Sequence, residues 1–173
     1  MPQRHPPFHA KAANGAGFVT GTLILTPQGA ACIEDLQPGD LVLTRDHGPQ
    51  QLRALHRALS PARAITIAPE AIGPGLPWRH LRLFPSQRIA LTGWKARLLF
   101  GQDETLVPIG DLVSDGTIIA RTAIGTTVTY HPVFDQPQVI YAEGIAVEVA
   151  SQPRATYSIA RHAANLAEAP LAQ

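Results

Sequence analysis

The residues of this 173-residue chain that could do chemistry are few and scattered. The one thiol, Cys32, sits in the apolar run Ala30-Ala31-Cys32-Ile33. A thiolate is a strong nucleophile, but a cysteine among apolar neighbours behaves as a small hydrophobe, and Cys32 reads as one. Thr20 and Thr22 offer hydroxyls at the start of a β-prone run. Asp40, in Gln37-Pro38-Gly39-Asp40, and the Asp46-His47-Gly48 run fit turns, where a short carboxylate accepts backbone N–H groups of its own loop. Seven histidines raise the question of a metal, yet no Glu-x-x-His pattern or cysteine pair supports one. His5 and His9 are four apart in a proline-rich stretch unsuited to a helix face. The expectation is no metal and no cofactor. A glycine-rich phosphate loop and a Ser-His-Asp context are both missing from the sequence.

Composition bounds the partners. Fourteen Lys and Arg nearly balance thirteen Asp and Glu, a formal net charge of +1, and the basic residues are dispersed. Phosphate backbones and anionic lipids are bound by clustered cations, so neither a nucleic-acid nor a membrane partner is expected. A single cysteine excludes an intramolecular disulfide. No apolar run of signal-peptide or membrane-spanning length occurs, which leaves localisation undetermined.

The elements that would position these residues are short strands. Sixteen prolines and fourteen glycines favour many turns over long helices. Residues 1–16, rich in Pro, His and Ala, read as a leader, 17–150 as one domain, and 151–173 as a tail. β-prone runs recur at Thr22–Thr26, Leu41–Thr44, Ala64–Ile67, Leu81–Phe84, Arg88–Leu91, Thr105–Pro108, Thr126–Tyr130 and Val139–Tyr141. Turn signals separate them, among them Pro27-Gln28-Gly29, Gly73 to Pro77, and a turn flanked by Thr105–Pro108 and Leu112-Val113. The expectation is an all-β domain. Only Ser158–Glu168, alanine-rich and free of Gly and Pro, predicts a helix, with Ser158 able to cap it.

The run from Gly17 to Gly29 resembles the opening block of bacterial Hint (hedgehog/intein) domains, Cys-Phe-x-x-Gly-Thr-x-Ile-x-Thr-Pro-x-Gly. Ile33 to Gln50, Glu104 to Pro108, and Phe134-Asp135 followed by Val139 to Gly144 are similar to later blocks, in the family's order. The resemblance covers roughly residues 17–150. It implies a flattened horseshoe of strands with two pseudo-symmetric halves, and self-processing chemistry. A thiolate at the first residue attacks the preceding carbonyl and forms a thioester. A histidine in a Ser-Pro-x-His block assists with a group that titrates near neutral pH. Family members often belong to secreted or surface proteins.

The sequence departs from that pattern where the chemistry resides. Gly17 stands at the cysteine position. In Phe84-Pro85-Ser86-Gln87-Arg88, Phe84 replaces the hydroxyl residue and Gln87 the histidine; a carboxamide can hydrogen-bond a carbonyl but cannot exchange a proton. A further family histidine is replaced by Pro137, whereas His131 survives as a site-lining or core residue. Thr22 matches the family's Gly-Thr pair and reads as a strand residue. Loss of a nucleophile alone costs on the order of a millionfold in rate. The expectation is a degenerate domain that does not process itself and is retained as a folded or binding module. Its partner would be its own leader or a peptide in the old cleft. The alternative is slow residual autoproteolysis, with Asp40 and His131 activating water or a threonine.

Overall fold

The computed structural model describes residues 17–114 and 120–150, without the side chains of 61–63, 114 and 120–124. The strands are β1 (Phe18–Val19), β2 (Leu23–Thr26), β3 (Gly29–Cys32), β4 (Leu41–Thr44), β5 (Gly48–Gln51), β6 (Ala54–Ile67), β7 (Leu81–Leu83), β8 (Arg88–Thr92), β9 (Glu104–Pro108), β10 (Ala120–Val133), β11 (Gln138–Ala142) and β12 (Ile145–Val149). Two short helices interrupt them, α1 (Trp94–Phe100) and α2 (Ile109–Ser114). A 3-10 turn at Ile33–Asp35 follows β3.

The strands form two antiparallel sheets. One runs β1-β10-β6-β7; the other runs β3-β2-β11-β12-β8-β9, with β4 joined to β11 and β5 joined to β4. Alternation sets which residues enter the core. Ile24 and Thr26 of β2, Val42 and Thr44 of β4, and Ile89 and Leu91 of β8 are buried while their neighbours are more exposed. Both early hairpins are closed in one way. Thr26 Oγ1 donates to Gly29 O and Thr44 Oγ1 to Gly48 O, each at 2.7 Å. A buried hydroxyl is thereby satisfied at the glycine that opens the return strand.

The centre of the first sheet is a two-strand ribbon, β6 on β10, in register from Ala54↔Val133 to Ile67↔Ala120. Its length departs from the short runs expected at 64–67 and 126–130. β6 begins well upstream, through a stretch whose alanines and Pro61 disfavour strand by propensity. Pairing to β10 overrides propensity here. β7 covers β6 only from Ile65 to Ile67, so Pro61 lies on an edge, where a missing N–H is tolerated. Leu112 and Val113, expected beside a turn, lie in α2, where Leu112 is fully buried. Helix α1 was not expected from the residue pattern. The leader, the tail and the helix expected at 158–168 lie outside the described residues.

Candidate functional site

β1 is two residues long, and its register is unambiguous: Phe18 lies opposite Tyr130 and Val19 opposite Thr129. Continued by one residue, that register brings Gly17 level with His131, which in turn faces His56 across the ribbon. Directly opposed residues of antiparallel strands share a face. Gly17, His131 and His56 therefore form a row across three strands. His131 is buried and His56 half-buried.

The approach at Gly17 is very close. A Cβ built there would lie 2.7 Å from His131 Nε2, 2.9 Å from His131 Cε1 and 2.7 Å from Tyr130 O. The backbone adopts φ +92°, a left-handed value that L side chains rarely take. The imidazole and a main-chain carbonyl thus lie against the α-carbon, where a side chain would begin. Further along the same face, Thr129 two residues from His131 and Ser60 four from His56 share a fully buried hydrogen bond of 2.9 Å between their hydroxyls. Neither hydroxyl is presented to solvent.

The other sequence-selected positions are occupied structurally. Phe84 is buried against Ala64 of β6. Its N–H donates to Gln87 Oε1 at 2.9 Å, and Gln87 N–H returns a bond to Phe84 O at 2.9 Å. The Gln87 carboxamide oxygen is therefore engaged within its own turn. Ile109 N–H and Gly110 N–H, at the start of α2, donate to Gln87 O and Pro85 O and hold that turn from outside. The turn directly follows β7, the strand against which β1 packs. Pro137 is exposed on the turn before β11. Thr22 is buried, and its hydroxyl donates to Val19 O at 2.7 Å. Asp40 is exposed, with its carboxylate accepting the Gln37 N–H at 2.8 Å. Asp135 is gripped by Arg53 through Nε and Nη2, which holds its carboxyl below the ordinary range.

Cys32 is half-buried, more accessible than its apolar run suggested, because it ends β3 beside the 3-10 turn. Burial, then the carboxylates of Glu34 and Asp35, push its thiol up, and Arg79 offsets this only in part. A thiol so placed stays protonated. Nearby, the Glu34 carboxylate accepts the Gly21 N–H, while buried Glu143 accepts the Leu23 N–H at 2.9 Å and an Arg79 Nη2 bond at 2.7 Å. Glu143 thereby ties the start of β2 to the β11–β12 connection, and Glu34 ties the residues before β2 to the 3-10 turn after β3. Sequence reasoning missed them, and it missed His56, because both depend on pairings between distant strands. Among the described residues no group of three or more His, Cys, Asp and Glu could hold a metal ion, and no helix is long and apolar enough to cross a membrane.

The family profile described as Hint domain matches residues 16–153. The chain belongs to the Hint domain family. Solved Hint relatives share its fold. A splice-inactive variant of the AceL NrdHF class 3 split intein matches with a TM-score of 0.54 at 11% identity, covering 81% of this chain and 100% of that one. A bacterial intein-like domain from Clostridium thermocellum matches with a TM-score of 0.53 at 15% identity, covering 78% of this chain and 98% of that one. No curated protein matches in sequence. The all-β Hint architecture expected from the ordered sequence blocks is the architecture observed.

Proposed function

We propose that this Hint domain does not process itself and is retained as a folded module, its former reaction centre converted into packing. The observation that supports this most directly is the contact at Gly17. The position that opens the family's chemistry has no side chain, and His131 with Tyr130 O stands 2.7 Å from where one would start. An acyl shift needs a nucleophile with room to reach the preceding carbonyl and a base or acid beside it. Here the first is missing, and the Gln87 carboxamide oxygen is held by Phe84 N–H. Thr22 is no substitute, since its hydroxyl is spent on Val19 O.

Residual autoproteolysis through Asp40 and His131 is less well supported. Asp40 is exposed and serves its own turn, where its carboxylate accepts the Gln37 N–H. A reporter domain fused ahead of residue 1 separates the two. With dithiothreitol or hydroxylamine, either of which opens a thioester, the reporter should remain attached. Its time-dependent release, slowed by His131→Ala, would establish the autoproteolytic reading instead.

A further inference from the structure

Helix α1 is built inside out. Its one buried residue is Ala96, whereas Trp94 is 68% exposed, Leu98 72%, and Leu99 and Phe100 about two-fifths. At ~100° per residue, Trp94 and Leu98 each sit ~160° from Ala96, so the face turned most directly outward is the most apolar. The helix is firmly placed. Lys95 Nζ donates to Ala71 O and Ile72 O, Arg97 pairs with Asp103, and Gly101 closes the C-terminus with its N–H on Arg97 O. A rigid helix presenting tryptophan and leucine to water is a surface in want of a cover.

We propose that residues 158–168 of the same chain cover it. Three observations select this segment. Placed on a helical wheel, Ile159, Ala163, Leu166 and Ala167 share one arc, and Arg161, Asn165 and Glu168 share the opposite one. That is an apolar stripe made narrow by alanine, suited to close approach on Trp94 and Leu98. The tail also departs from the correct sheet. β12 pairs with β8 through Val147↔Ile89, so Val149 is level with Gln87, and α1 begins directly after β8. Finally, the reach suffices. From the level of Gln87 to Trp94 is at most ~23 Å along the strand, and the eight residues from Ala150 to Ser158 span up to ~27 Å. The leader is a poorer candidate, for it joins the other sheet at β1 and its prolines give no comparable stripe.

Disulfide trapping in the full-length chain tests this, in a Cys32→Ser background carrying Leu98→Cys with Leu166→Cys. Leu59→Cys, at an exposed site on β6, replaces the first position as the control. A docked segment holds the Leu98 pair together, whereas the control pair meets only when the tether swings to β6, so the Leu98 pair should close well ahead of the control. At micromolar protein, below the mM effective concentration of a tethered segment, closure should be within the monomer. Equal rates would overturn the proposal. A cross-linked dimer would overturn it in favour of a second copy. Independently, in a Trp78→Phe background Trp94 emission should shift to the red on Leu166→Asp, and an unchanged spectrum would contradict the docking. Neither readout depends on whether the domain processes itself.

Discussion

Replacing Gly17 with alanine should damage this domain far more than its position at the edge of a sheet suggests. Two costs are separable. Holding an L residue at φ +92° costs about 1–2 kcal/mol. Forcing apart a Cβ and the Tyr130 carbonyl 2.7 Å away is overpacking against backbone, which cannot swing aside as a side-chain tip can. Such insertions cost about 1–3 kcal/mol, so Gly17→Ala should destabilise by about 2–5 kcal/mol in all. For a domain of this size that lowers Tm by roughly 4–20 °C. Gly21→Ala is the matched control, with φ +83° and nothing within 4 Å of the added atom. It carries the backbone cost alone. Urea and thermal denaturation followed by circular dichroism give both values. A His131→Ala background should recover part of the Gly17→Ala loss as a coupling of about 0.5–3 kcal/mol. Equal losses for the two alanine variants would refute the close approach.

Further outcomes follow from the carboxylates and the thiol. Glu143→Ala orphans the Leu23 N–H and should cost about 1–3 kcal/mol, and Arg79→Ala, which leaves the buried Glu143 carboxylate without its ion-pair partner, should cost at least as much; urea midpoints test the order. Arg53 lowers the Asp135 carboxyl, so the pair stabilises the fold above the carboxyl's unfolded value and is lost as pH falls through the depressed folded value. An NMR titration should place Asp135 below an ordinary aspartate, and Arg53→Ala should return it toward the ordinary value. Because the Cys32 thiol is raised, alkylation by iodoacetamide at pH 7–8 should run slower than for an unfolded chain, and fast labelling of the folded protein would contradict its placement.

What the sequence disclosed was local. Thr26 with Gly29, and Thr44 with Gly48, mark hairpins within five residues, and the ordered blocks around them identified the family. What it concealed was the product of pairing at a distance. β6 carries Pro61 and several alanines and is a strand only because β10 runs beside it for its whole length. His56 becomes part of the site row only through the register that sets it against His131. α1 stayed hidden because it is only seven residues long and its apolar residues, Trp94, Ala96, Leu98, Leu99 and Phe100, fall on several sides of the helix and leave no single stripe to recognise. The departures at Gly17 and Gln87 were visible as residue types. Their consequence, an imidazole against an α-carbon and a carboxamide oxygen closed into a turn, needed the fold.

The central claim is tested most directly by the mass of the intact protein. Purified full-length chain, held for days at neutral pH with and without thiol, should give a single unchanged mass. A fragment beginning at Gly17, growing with time, would contradict it.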